Sequence, residues 1–358
     1  MPLMLRCDRI LVWIILSLTL FGLLMVYSTS AVAPQSSSLY IAKQLVAAVI
    51  GFAAMYGLMF FDYRCLRNPR VVYAVLAASV CLLLIAMALG TGANTRRFLR
   101  LGLLSLQPSE LAKPAVILFL AYFLERNRDR MDRLSSLVTP SIVVGIFAAL
   151  ILVGKDFGTT FCLVVIAMAM LFIAGVPIFY FALGTVPAIP VFYFAVWQVE
   201  YRRERILAFL NPEADPLGSG FQVLQSQIAV GSGGLFGKGW MVGKQKMLFL
   251  PEAHTDFIYA TVGEELGLIG TLLLVIAFCL FLWRGLRAAL GAPDLFGAYL
   301  ASGITVMIVS QAMLNMGVAL GLLPTKGMPL PFISYGGSSL ITVLASSGVL
   351  LNVSRFGR

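Results

Sequence analysis

Charge is scarce in this chain: only 12% of its 358 residues are Asp, Glu, Lys or Arg, and His254 is the single histidine. A soluble domain needs roughly twice that charged fraction to clothe its surface, so a water-soluble globular protein is excluded. The five cysteines, Cys7, Cys65, Cys81, Cys162 and Cys279, stand alone and mostly inside apolar runs. With neither metal-ligand spacing nor an outward pair, they argue against a disulfide framework and against a zinc site. No repeat of fixed period and no low-complexity tail interrupts the chain, which reads as one compact membrane domain over 1–358.

Apolar residues are what the chain has in excess, at 60% of positions with a mean hydropathy of +0.93. Apolar runs near the roughly 20 residues needed to cross a bilayer fall at 10–31, 43–61, 71–90, 109–124, 137–153, 157–175, 178–197, 263–283, 295–319 and 337–353. They predict an all-α polytopic membrane protein with ten transmembrane helices. The first run follows Arg6 and Arg9 but has no small-residue cleavage site, so it is read as a helix and not as a signal peptide.

A net charge of +10 would point to nucleic acid in a soluble domain. Here the arginines cluster in short loops between apolar runs, where they report topology and predict no nucleic-acid partner. Placing the N-terminus in the cytoplasm puts Arg64, Arg67, Arg70, Arg126, Arg128, Arg130, Arg133, Arg284, Arg287, Arg355 and Arg358 on the inner side. Both termini are then cytoplasmic. The remaining basic residues, around Arg97, at Lys113 and Lys155, from Arg202 to Lys246, and at Lys326, lie on the outer side and need another explanation.

The long polar interruption is 198–262, an outer loop between the seventh and eighth helices. It starts arginine-rich at 201–205, becomes glycine-rich at 231–243 and ends in carboxylates. The glycine run fails the phosphate-loop spacing, because Ser232 and Gly239 stand where glycine and a hydroxyl residue are required. A backbone nest for phosphate and a flexible linker remain equal readings of it. The apolar pieces 206–210 and 221–230 are too short to span and are read as interfacial or re-entrant helices.

Four constellations carry candidate chemistry. In 107–113, Glu110 sits in a first helical turn, where the dipole favours it, three residues before Lys113. Capping accounts for Glu110 but not for an ammonium one turn into a membrane helix, which needs a polar cavity or an anionic ligand. Asp156 heads the sixth helix, as a cap or as a cavity acid. Asp256, flanked by His254, Thr255 and Phe257 among many cations, is a candidate general base if partly buried. Finally 324–332 holds three prolines and is followed by small residues that permit close helix approach.

Together these segments, in this order from about Arg96 to Arg355, resemble the SEDS family of shape, elongation, division and sporulation proteins typified by RodA and FtsW. Phe98 stands where the family often has tryptophan. The resemblance implies a peptidoglycan glycosyltransferase that polymerises lipid II on the outer face of the cytoplasmic membrane. It implies Asp256 as general base, inversion at the anomeric carbon and release of undecaprenyl pyrophosphate. Glu110 and Asp156 would line the cavity, and Lys113, Lys326 and Arg97 would stabilise charge there. Glu252 and His254 complete the substrate-binding candidates. It implies no organic cofactor, with Mg or Mn as a candidate cation of unknown ligands. Partners implied are lipid II, the undecaprenyl-pyrophosphate-linked glycan, a class B penicillin-binding protein and other elongation-complex membrane proteins. The short termini favour an elongation member of the RodA type. A precursor flippase and a non-catalytic scaffold are the competing classes.

Overall fold

The computed structural model describes residues 7–30, 37–90, 97–101, 104–216, 218, 220–248, 250–325 and 327–357. Helices occupy all ten apolar segments: α1 (Arg9–Ser30), α2 (Ser37–Phe60), α3 (Pro69–Leu89), α4 (Pro108–Arg126), α5 (Leu134–Val153), α6 (Phe157–Ile173), α7 (Ile178–Phe192), α11 (Ile258–Leu290), α12 (Leu295–Ala319) and α13 (Gly337–Phe356). Three shorter helices, α8 (Glu200–Leu210), α9 (Phe221–Ser232) and α10 (Gln245–Leu248), lie between α7 and α11, and a hairpin of β1 (Leu99–Leu101) and β2 (Leu104–Leu106) precedes α4. Because α11 starts at Ile258, the end of the 198–262 stretch is already helical.

Seven of these helices are long and apolar enough to cross a membrane. The three that fall short do so for visible reasons. Helix α4 carries Glu110, Lys113, Glu125 and Arg126, α6 has 17 residues, and the 15 residues of α7 run on into a five-residue π-helical turn, Tyr193–Trp197. The molecule is a multi-pass membrane protein, since only self-satisfied helical backbone is tolerated in hydrocarbon.

Helices α12 and α13 form the centre: 78% of each spanning window is buried, against 22% for α5 and 28% for α2 and α3, which face outward. The helix heads are set by local chemistry. Asn68 caps α3 with Pro69 in its first turn, Asp156 caps α6 and Asp294 caps α12. The arginine-rich end is stapled by Arg67 on Glu125 at 2.8 Å, Arg284 on Asp8 and the Tyr63 hydroxyl on Asp294 at 2.6 Å. All the candidate chemistry sits at the far end.

The glycine-rich segment is hydrogen-bonded to helix α11. Helix α11 breaks at Gly267, whose φ of 67° and ψ of −161° are non-helical. In an unbroken helix the Leu268 and Ile269 amides would donate to the Glu264 and Glu265 carbonyls. Here Leu268 donates to Gly234 O at 2.9 Å and Ile269 to Leu235 O at 3.2 Å, while Glu264 O and Glu265 O accept from the Lys238 and Gly239 amides at 3.0 and 3.1 Å. The break removes two intrahelical hydrogen bonds, and the segment pairs all four groups thus freed, which a bilayer requires. The Gly237, Lys238 and Gly239 amides are spent on the protein's own carbonyls.

Gly237, at φ +80°, comes so close that an added Cβ would collide with the Glu265 carbonyl. Left-handed backbone alone costs a side chain about 1–2 kcal/mol, so Gly237→Ala should lose at least about 2 kcal/mol and lower the melting temperature in detergent. An unchanged melting point would show that the splint is dispensable.

Candidate active site

Asp256 lies in the turn before α11, and three consecutive carbonyls around it are held from outside. Tyr335 N donates to His254 O at 2.9 Å, Ser334 Oγ to Thr255 O at 2.5 Å, and Asn315 Nδ2 to Asp256 O at 2.8 Å. The main chain is locked, whereas the carboxylate takes no hydrogen bond from any described residue and faces Gly327, where a Cβ would stand 3.3 Å from Oδ2. The residue is partly buried. Desolvation, with Glu252 nearby adding to it, pushes its pKa up to about 7, against the opposing pull of Arg97 and Arg205. A carboxylate with that pKa is a base near neutral pH.

The wall opposite is the proline loop. Arg205 on α8 reaches the Thr325 carbonyl at 3.5 Å, Asn315 also donates to Met328 O at 2.7 Å, and Gln311 donates to Pro329 O at 2.9 Å. Gln44 on α2 holds the loop's far side through Ser334 O and the Gly336 amide, both at 3.2 Å. Lys326 lies outside the described residues.

The other sequence candidates divide by environment. Glu252 is exposed in a left-handed turn, φ 55°, and accepts from Thr255 Oγ1 at 2.9 Å. His254 packs its ring against Tyr40 at 5.2 Å and Tyr335 at 5.7 Å, and burial pulls its pKa below the ordinary histidine value with Glu252 opposing. It joins three chain segments and presents no proton-transfer geometry. Asp156 is a saturated cap: Oδ1 accepts from Thr159 N at 3.2 Å, and Oδ2 accepts from Thr159 Oγ1, Ser109 Oγ and Gln107 Nε2 at 2.9, 2.8 and 2.8 Å. It ties the head of α4 to the head of α6.

Lys113 is 2% exposed and pairs with Glu110 at 3.0 Å and with Gln311 Oε1 at 2.5 Å. Its ammonium is therefore spent on protein acceptors, which answers how one turn of a membrane helix tolerates it. Arg97 differs. It lines a small cleft with Pro108, Ser109 and Asp156 whose lower walls are apolar side chains of α3 and α5, and its buried Nε has no hydrogen-bond partner among the described residues. A guanidinium over an apolar cleft suits an anionic headgroup with a hydrocarbon tail.

Among the described residues no three His, Cys, Asp or Glu side chains gather to hold a metal. Glu252 and Asp256 alone make too sparse a donor set for a protein-built Mg or Mn site, and no step below is routed through one.

Gln311 and Asn315 look like midspan polar residues in the sequence. Helix α12 ends at Ala319, which places them about 12 and 6 Å from its C-terminal end at 1.5 Å per residue. Both are turned onto loop carbonyls, so they do not form a polar path through the bilayer.

Fold and site define an integral-membrane protein that presents the Asp256 carboxylate in the turn before α11. A family model described as cell cycle protein FtsW/RodA/SpoVE matches residues 9–358, and the chain belongs to that family. It is 45% identical to the probable peptidoglycan glycosyltransferase FtsW of Geobacter metallireducens, over 98% of this chain and 95% of that one. It is 43% identical to stage V sporulation protein E of Bacillus subtilis, over 98% of each. Among solved structures, a chain of a peptidoglycan synthase complex that coordinates polymerization and crosslinking superposes with a TM-score of 0.82, 33% identity and 98% coverage of both chains. Thermus thermophilus rod shape determining protein RodA gives a TM-score of 0.73 at 30% identity, covering 98% of this chain and 97% of that one. Division and sporulation names at 43–45% beside a RodA structure at 30% do not carry the expected elongation role.

Proposed function

We infer that this peptidoglycan glycosyltransferase uses Asp256 as the general base of lipid II polymerisation. The carboxylate takes the proton of the acceptor sugar's 4-hydroxyl as that oxygen bonds to the anomeric carbon of the growing glycan. The anomeric bond to undecaprenyl pyrophosphate breaks on the opposite face, with inversion, and the pyrophosphate leaves as an anion. Such a leaving group needs charge stabilisation more than a proton, and Arg97 and Arg205 are the cations that act on the Asp256 carboxylate. The cleft under Arg97 would take the polyprenyl tail. Glu110 and Lys113 support the wall from behind, and Glu252 tunes the base.

One observation carries this reading: a carboxylate with a rigid main chain, no hydrogen-bond partner among the described residues and a pKa of about 7 beside a basic rim. The arginine-rich end supports a cytoplasmic placement of both termini and ten crossings, which sets the site at the outer face. A class B penicillin-binding protein is the partner that fits, supplying the crosslinking step. The similar chain from a synthase complex supports that assignment.

The test is polymerisation of purified lipid II by the purified chain, alone and with its cognate penicillin-binding protein carrying a dead transpeptidase serine. Wild type should make glycan strands and Asp256→Ala should make none. If neither makes strands in any partner condition and lipid II instead crosses liposome membranes, a flippase replaces this reading.

A further inference from the structure

Two buried amides of α12 have no part in the chemistry above, yet both face the loops that perform it. Asn315 is 2% exposed and Gln311 1%. Asn315 Nδ2 lies 2.8 Å from the Asp256 carbonyl and 2.7 Å from the Met328 carbonyl. Both neighbours are acceptors, so the amide nitrogen must face them and the orientation of the group is determined. Its Oδ1 is left buried without a partner among the described residues. An apolar side chain would fill this place without orphaning an oxygen, so the contribution of the amide lies in the two hydrogen bonds it donates.

Those two carbonyls belong to segments far apart in sequence. One is Asp256 itself. The other is next to Gly327, where an added Cβ would stand 3.3 Å from Asp256 Oδ2. Gln311, one turn deeper, repeats the arrangement by donating to Pro329 O at 2.9 Å while accepting from Lys113. We propose that Asn315 is a positioning residue of the glycosyltransferase, holding the Asp256 carboxylate in register with the 327–329 wall against which the acceptor hydroxyl must sit. The proposal rests on the reading of Asp256 as the base.

Removing the amide has two consequences that a merely structural loss would not produce. The carboxylate drifts from its working position, which lowers kcat while groups that bind lipid substrate stay in place. The two freed carbonyls must also find water, and water beside Asp256 relieves the desolvation that raises its pKa. The surrounding charges are unaltered: Glu252 on the same loop, Arg205 on α8, Arg97 before β1 and Asp156 at the head of α6. The acid limb of the rate profile should therefore move to lower pH.

The experiment measures initial polymerisation rates against lipid II concentration and pH, with the same dead-transpeptidase partner, for wild type, Asn315→Leu, Asn315→Ser and Asp256→Ala. Asn315→Leu should lower kcat about tenfold or more, with KM within about twofold and the acid limb displaced downward. Asn315→Ser, which leaves room for a water to donate to both carbonyls, should have a kcat between it and wild type, with the acid limb displaced downward at least as far. If Asp256→Ala stays active, the base assignment itself fails. If Asp256→Ala is dead while both Asn315 variants match wild type in kcat and acid limb, only the positioning role fails. Two Asn315 variants that do not fold would make the residue a structural post, and that result also overturns the proposal.

Discussion

Asp256→Asn is expected to lower the turnover of glycan elongation about 10²–10⁴-fold, the range a positioned general base contributes, with little change in KM. The asparagine keeps the shape of the turn and the main-chain bonds to Asn315, Ser334 and Tyr335, so protein yield and melting temperature should hold. A loss of kcat without a loss of binding is the signature of an interaction made in the transition state. The wild-type pH profile carries the same information. A base works only when deprotonated, and this one is held near 7 by desolvation and by Glu252. The rate should therefore rise with pH through about 7, and at pH 6 it should stand near a tenth of its plateau. Glu252→Gln removes a charge that raises this pKa, so its acid limb should move to lower pH. A profile flat from pH 5 to 8, or one unchanged by Glu252→Gln, would remove Asp256 from the proton transfer.

The second large effect is on folding. Glu265 is 0% exposed, and Lys246, 7% exposed, donates to it and to both Ser28 O and Ser28 Oγ at 3.0 and 2.7 Å. This cluster joins α1, α11 and the loop before the active site. Lys246→Met leaves the carboxylate, among the described residues, with the Ser28 hydroxyl at 2.8 Å and the Met241 amide at 3.1 Å. Breaking a buried pair by removing one partner costs about 3–5 kcal/mol, because the remaining charge stays out of water. Lys246→Met combined with Glu265→Gln removes both charges and should recover most of that loss. A cycle of thermal unfolding on the two singles and the double measures the coupling directly. Singles within about 1 kcal/mol of wild type would mean the pair is solvated and contributes little.

The neighbouring Glu264 shows why the glycine-rich loop misleads as a sequence motif. Its carboxylate accepts from the Lys238 ammonium at 3.0 Å and from the Lys244 and Gln245 amides at 2.9 and 3.1 Å. The loop does bind an anion through backbone amides, but the anion is the protein's own side chain. Walker-type spacing excludes one ligand class and says nothing about a partner more than twenty residues downstream.

The amino-acid sequence alone determined the ten helical segments, the head of the sixth at Asp156, the arginine-rich end and the concentration of acids and cations at the other. These follow from nearest neighbours and from the solvent: a bilayer admits only helices, and capping or proline acts within a turn. The placement of Asp256 at a helix head was legible as well, because a carboxylate just before an apolar run is a local pattern. Tertiary structure decided what surrounds it. His254 became an aromatic strut, Lys113 a paired ammonium and Asn315 a bridge between loops only through contacts among remote segments, as Ser28 meets Glu265 across 237 residues and Gln44 meets Ser334 across 290. A residue's burial and its hydrogen-bond partners are properties of that packing, and they set whether a carboxylate is a cap, an ion-pair partner or a base.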